Sequence, residues 1–148
     1  MPTIFTIGYQ QATQAAVLAA LREAGVEVLA DVRARPLSRK PGFSKTALAA
    51  AVEEAGMAYR HFRDVGTPPE GREAARRGDR ETLAQVYAGQ LELPEALAHM
   101  AELRDLALEK RTCLLCYCRD AGKCHRSLLI AALLEDFEVV DLEPQLVT

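Results

Sequence analysis

Five short runs rich in apolar and β-branched residues, separated by stretches with helical spacing, constrain this chain more than any other feature. Thr3–Ile7, Val26–Val32, Met57–Phe62, Thr112–Cys118 and Glu138–Leu142 read as strands. After the first of them, Ala15, Leu18 and Leu21 recur at helical spacing between Thr13, a good N-cap, and Gly25, a good C-cap. Ser44 caps a second helix to Glu54, with Ala47, Leu48, Ala51 and Val52 on one face and Gly56 past its end. Helical spacing returns over Arg80–Ala88, over Pro94–Lys110, where proline suits the first helical position, and over Cys124–Leu134. Strands alternating with helices predict an α/β fold: one three-layer, Rossmann-like or flavodoxin-like domain with a mainly parallel sheet of about five strands flanked by helices. This pattern does not give the strand order.

A chain of 148 residues can bury one sizeable core without disulfides or a structural metal, so residues 1–148 are expected to form a single domain. With 49% hydrophobic and 26% charged residues, disordered, collagen-like and coiled-coil classes are excluded. No apolar run is long enough to cross a bilayer, and Met1–Gln14 lacks a basic start with an apolar signal core, so a cytoplasmic protein with no membrane partner is expected. All four cysteines fall within Cys113–Cys124 and cannot staple distant parts of the chain, which fits a reducing compartment. A net charge of −3 argues against coating nucleic acid through overall charge and leaves only a local basic patch for that role. Asp64–Asp79 carries Gly66, Pro68, Pro69, Gly71 and Gly78 among many charges and reads as an irregular excursion with a turn or two of helix, a candidate lid. Ala-rich helices leave a homodimer open.

In open α/β sheets ligands bind beyond the carboxyl ends of the strands, at a topological switch point. Here four strand ends carry chemistry: Gly8 and Tyr9; Asp31 and Arg33; Arg60, His61 and Asp64; and Cys118 through Arg126. Polar loops are ordinary at strand ends, and that plainer reading competes for the same residues. Arg33, Arg35, Arg39, Lys40 and Lys45 place five positive charges in thirteen residues with no acid among them. Arginine forks match phosphate or carboxylate, and Gly42 with Ser44 adds backbone donors; the alternative is a solvated face balanced by Asp31, Glu53 and Glu54.

The segment from Cys113 to Ser127 reads as strand, glycine-bearing loop and helix start, an arrangement that cradles anions. Cys124, near a helix terminus and beside Arg119, Lys123 and Arg126, is the candidate nucleophile, because such surroundings favour the thiolate. His125 is a candidate acid, base or donor, and Asp31 or Asp120 a candidate for handling a proton or a sugar hydroxyl. The candidate anion-binding residues are Gly8, Tyr9, Arg33, Arg39, Lys45, His61, Arg119 and Arg126, with Tyr9 available to stack on a base. Cys113 and Cys116 read as small core residues, and His99 as a surface or core-edge residue. Three alternatives stay open: a metal held by some of Cys116, Cys118, Cys124 and His125, with Cys118, Cys124 and His125 the leading set, a reversible Cys118–Cys124 disulfide, and a non-catalytic nucleic-acid-binding or regulatory module. Neither Cys118 nor Cys124 has the arginine six residues on that cysteine phosphatases need. The expected ligand is a small anion, nucleotide-like, bound or processed in this pocket; the sequence names no cofactor.

Taken together, Thr6-Ile7-Gly8-Tyr9, Asp31-Val32-Arg33 with Pro36 and Ser38, Gly42-Phe43-Ser44-Lys45, Tyr59, Leu114-Leu115-Cys116 and Cys124-His125-Arg126 resemble the uncharacterised family named domain of unknown function 488. The resemblance spans nearly the whole chain. It implies a compact α/β fold and no established reaction. The family pattern carries an acid two positions after the strand cysteine, where this chain has Cys118; Asp120 is the nearby acid that could replace it.

Overall fold

The structure, a computed structural model, describes residues 1–146. Its strands are β1 (Thr3–Gly8), β2 (Val28–Asp31), β3 (Ala58–His61), β4 (Thr112–Cys116) and β5 (Glu138–Leu142). Its helices are α1 (Gln14–Glu23), α2 (Lys45–Glu54), α3 (Pro69–Arg76), α4 (Arg80–Leu91), α5 (Pro94–Glu109) and α6 (His125–Leu133). Thr13 and Pro94 act as the sequence suggests, whereas Ser44, at the N-cap position of α2, turns its hydroxyl to the Ser38 backbone and makes no capping bond. Thr13 accepts from the Ala16 amide at 3.1 Å, Asp79 accepts from Thr82 at 3.1 Å, and Pro69 and Pro94 open α3 and α5, where a missing N–H costs nothing.

The strands form one sheet in the order β3-β2-β4-β1-β5, and every neighbouring pair is parallel. The α/β class is therefore the one the spacing predicts. Side-chain alternation splits the core into two layers. Phe5, Ile7, Leu29, Cys113 and Leu115 meet Val17 and Leu21 of α1 and Leu48 and Val52 of α2. Ile4, Ala30, Leu114 and Cys116 meet Tyr87 and Leu91 of α4, Leu103 and Ala107 of α5, and Leu129 and Ile130 of α6. Right-handed crossovers require this division, because the chain moves toward β3 through α1 and α2 and returns through α3 to α6.

Several boundaries differ from the sequence reading: β2 is Val28–Asp31 rather than Val26–Val32, β3 is Ala58–His61 rather than Met57–Phe62, and α4 runs on to Leu91 rather than Ala88. β4 stops at Cys116 rather than Cys118, because its partner β1 ends at Gly8, and Gly8 opposite Cys116 is the last pair. In the Asp64–Asp79 stretch, read from the sequence as irregular with a turn or two of helix, a 3₁₀ turn at Arg63–Val65 leads into the two-turn helix α3. Among the described residues no helix is long and apolar enough to cross a membrane.

β4 lies between β2 and β1, but its outgoing helix α6 covers the opposite face from α1 and α2. The chain thus leaves adjacent strands in opposite directions at β4, which is where a crevice opens.

Candidate functional site

A cleft of about 660 Å³ lies at that carboxyl edge. Tyr9 and Gln10 come from the loop after β1, and Arg33, Arg35, Ser38 and Arg39 from the loop after β2. Cys116, Tyr117, Cys118, Asp120, Lys123, Cys124 and His125 come from the end of β4 and the start of α6. Thr67, Arg72 and Arg76, on and just before α3, form the remaining wall.

At the floor, the His125 ring is fixed by its Nε2, which lies 2.8 Å from the Val32 carbonyl. A carbonyl only accepts, so Nε2 carries a proton and Nδ1 is the nitrogen left for other partners. Nδ1 faces two sulfurs, Cys124 Sγ at 3.6 Å and Cys116 Sγ at 3.7 Å. The donor atoms of Cys116, Cys124 and His125 all lie within 4.8 Å of one another, and all three residues are buried. Cys124 is also the N-cap of α6, where the helix dipole favours negative charge. The Cys116 and Cys118 thiols donate to Cys124, and together with the His125 charge they hold its pKa well below the ordinary thiol value despite burial. Burial works against protonation of His125, but the Cys124 thiolate and the Val32 carbonyl outweigh it and push that pKa up. For Cys116 the bond from Cys118 favours the thiolate, but the Cys124 charge and burial push it up. Its bonds to Cys116 and Cys124, with burial, push Cys118 up. Of the three neighbouring thiols, Cys124 is the one whose surroundings favour the thiolate.

Arg126 braces this thiolate from below. It is 1% exposed, and its Nε donates to Cys124 Sγ at 3.5 Å, its Nη1 to Thr6 Oγ1 at 2.5 Å and its Nη2 to the Cys118 carbonyl. The guanidinium ties β1, the loop and α6 together and does not line the cleft, so the anion-clamp role expected from the sequence does not fit its position. Gly8 has a related job. A Cβ there would sit 1.8 Å from the Cys118 carbonyl oxygen, so only glycine lets the loop cross the end of β1.

Asp31 and Arg33 form a second buried unit. Arg33 Nε and Nη2 donate to the two Asp31 oxygens at 2.8 and 2.7 Å, Nη1 donates to Tyr9 Oη at 3.1 Å and the Phe43 carbonyl at 2.6 Å, and Tyr59 Oη donates to Asp31 at 2.5 Å. Burial lowers the affinity of Arg33 for its proton, but Asp31 more than compensates and the guanidinium stays charged. Burial and the Asp31 charge push the Tyr59 hydroxyl up, so it remains a donor. Asp31 is wholly buried and off the cleft, and Arg33 reaches the cleft wall with its charge already matched.

Of the remaining sequence candidates, Arg39 and Asp120 line the cleft, whereas Lys45, His61 and Arg119 do not. His61 Nε2 lies 2.7 Å from the Arg33 carbonyl and holds the β2 loop from behind. Arg119 donates its amide to Gln10, and Asp120 caps the turn before α6 by accepting from Gly122. Tyr9 lies flat against Phe43 with centroids 4.4 Å apart, so its face is occupied and the half-exposed Tyr117 offers the free ring. His99 faces Asp64, away from the cleft.

Sequence reasoning missed Tyr117 and the α3 arginines, and it favoured a core role for Cys116 over the ligand role it also considered. A signal for Cys116 was present. Residues 114 and 116 share one face of β4, so Cys116 had to lie on the α6 side while Cys113 lay on the other. For Arg72 and Arg76 there was none, since only tertiary folding carries α3 to this edge.

The class is thus an all-parallel, three-layer α/β domain with a buried cysteine–histidine cluster at the switch point of its sheet. Within that class the chain belongs to the family described as domain of unknown function DUF488, whose model matches residues 13–133. Comparison with curated proteins and with solved structures gave no match.

Proposed function

We propose that the cleft binds a small anionic molecule of nucleotide-like size, with Cys124 and His125 at the position where it is bound or processed. The observation that supports this is the charge around the cleft. Arg35, Arg39, Arg72, Arg76 and Lys123 surround it in a protein of net charge −3, against one rim carboxylate, Asp120. Among the described residues Arg35, Arg39 and Lys123 form no ion pair. Unmatched arginines over a concave, partly apolar floor suit a phosphate or carboxylate, and the half-exposed Tyr117 suits a flat ring beside it. The size of the cleft falls within the range of small-molecule sites, roughly 300 to 1,000 Å³.

Calorimetric titration with nucleoside monophosphates and with inorganic phosphate tests this reading. Arg39 is exposed, so Arg39→Ala should weaken binding about tenfold, or ~1.4 kcal/mol, without moving the melting temperature. Parent-like affinity in both Arg39→Ala and Arg72→Ala, or no binding by the parent at millimolar anion, would overturn it. Binding to an oligonucleotide with a steep salt slope and none to mononucleotides would instead make the basic rim a nucleic-acid contact.

A further inference from the structure

The most unusual grouping in the molecule is the Nδ1 atom of a buried histidine whose partners are both sulfurs. Apolar packing does not account for it, because an imidazole nitrogen buried in a core normally finds an oxygen or a backbone partner. We propose that Cys116, Cys124 and His125 bind one soft divalent cation of the zinc class per chain, with the fourth coordination position turned toward the cleft beside Cys118.

Geometry carries the argument. A tetrahedral zinc ion with bonds of about 2.3 Å to sulfur and about 2.05 Å to nitrogen places sulfur and nitrogen donors about 3.5 Å apart. The two sulfurs stand 3.6 and 3.7 Å from His125 Nδ1, so small side-chain adjustments complete the site. The bond from Nε2 to the Val32 carbonyl is the outer-shell contact that ligating histidines usually make, and it aims Nδ1 at the ion. Arg126, donating to Cys124 Sγ, orients that sulfur while leaving its other lone pairs free. Two thiolates and an imidazole favour zinc or another soft transition metal over magnesium or calcium, which want oxygen ligands that this cluster does not offer. β4, α6 and the loop after β2 hold the three ligands and the Val32 carbonyl, so the site is largely preformed. All three ligands also line the cleft, which leaves the fourth position accessible to water or to a donor atom of a bound molecule.

Of the cysteines the sequence offers as ligands, Cys116 and Cys124 join His125 while Cys118, half-buried on the cleft wall, stands outside the set. Binding would displace the Cys116 thiol proton and any proton on His125 Nδ1 into solvent, leaving neutral imidazole and two thiolates on the metal.

The test is metal titration of the full chain, stripped of metal and kept reduced by a phosphine. Zinc competed against a chromophoric chelator should load to one equivalent. Cobalt(II) should give a sulfur-to-metal charge-transfer band and the intense visible bands of a tetrahedral ion. Cys116→Ser should weaken zinc binding on the order of 100-fold, while Cys113→Ser, whose side chain faces the other core layer, should bind as the parent does. A cobalt spectrum that stays that of the hydrated ion would overturn the proposal without any variant, and so would a Cys116→Ser chain that binds zinc as tightly as the parent. The anion reading fails or stands separately, since nucleotide titration of the metal-free chain reports on the arginine rim alone.

Discussion

Replacing Arg126 by alanine should destabilise the protein severely although nothing in its position on the sequence suggests a core residue. The variant leaves the Thr6 hydroxyl, itself 0% exposed, and the Cys118 carbonyl without the donor each now has. Each such orphaned group costs about 1–3 kcal/mol. Removing ~100 Å³ of side chain adds about 2 kcal/mol at ~24 cal/mol per Å³ of cavity. Part of this is recovered because a charge no longer has to be buried and because water can enter from the cleft. The net is about 4 kcal/mol, in line with the roughly 3–5 kcal/mol typical of losing one partner of a buried ionic contact. For a chain of this length that lowers the melting temperature by about 8–16 °C. Arg126→Lys keeps the charge and stem but cannot reach three partners, so about half the loss should remain. Urea unfolding under reducing conditions, read by circular dichroism and by near-UV signal, measures both. A loss below about 1.5 kcal/mol for Arg126→Ala, with an unchanged denaturant slope, would refute the claim that this guanidinium joins β1 to α6.

The remaining predictions concern the thiolate, the second buried unit and the glycine. In the metal-free protein iodoacetamide should modify Cys124 below the ordinary thiol range near pH 8.5, because the folded pKa is depressed; the stability it contributes is present above the unfolded pKa and lost as pH falls through the folded one. His125→Asn should move the midpoint of that rate profile upward, and a parent midpoint at the ordinary thiol value would count against the paired charges. Asp31→Asn, which leaves Arg33 buried without its counter-charge, should cost about 3–5 kcal/mol, whereas Tyr59→Phe removes a single hydrogen bond and should cost about 1 kcal/mol. Equal losses in chemical denaturation would show that the ion pair is not the dominant member. Gly8→Ala drives a methyl into the Cys118 carbonyl and should cost about 3 kcal/mol or more; a wild-type melting curve would show that the loop moves aside freely.

Much of this architecture is legible in spacing. The alternation of β-branched runs with capped helices is local, and local preferences are what a single sequence carries; β5 and the starts of α4 and α5 fall where the pattern puts them. Strand order depends on which distant segments meet, and nothing near Ile4 announces that it pairs with Thr112. The same limit governs the site. Residues at strand ends were found because parallel strands share an edge. Their roles were not, because a guanidinium at the first turn of α6 looks alike whether it faces solvent or reaches Thr6, 120 residues earlier in the chain. The arginine-rich loop divides in the same way: Arg33 is held by Asp31 two residues before it, while Arg35 and Arg39 lie open to the cleft. Charge counting treats all of them as equal, and burial separates them.

The central position of β4 also bears on how the protein is made. Until residue 112 leaves the ribosome, β1 and β2 face each other across a gap one strand wide, each with a row of unpaired amides and carbonyls. Among the first 111 residues only β2 and β3 have each other as partners, while β1 lacks both of its own, and only the segment carrying all four cysteines can join them. The strand that joins β1 to β2 and the residues of the sulfur cluster come from the same stretch of chain, so a chain truncated before residue 112 lacks the site and displays the edges that invite pairing with a second molecule.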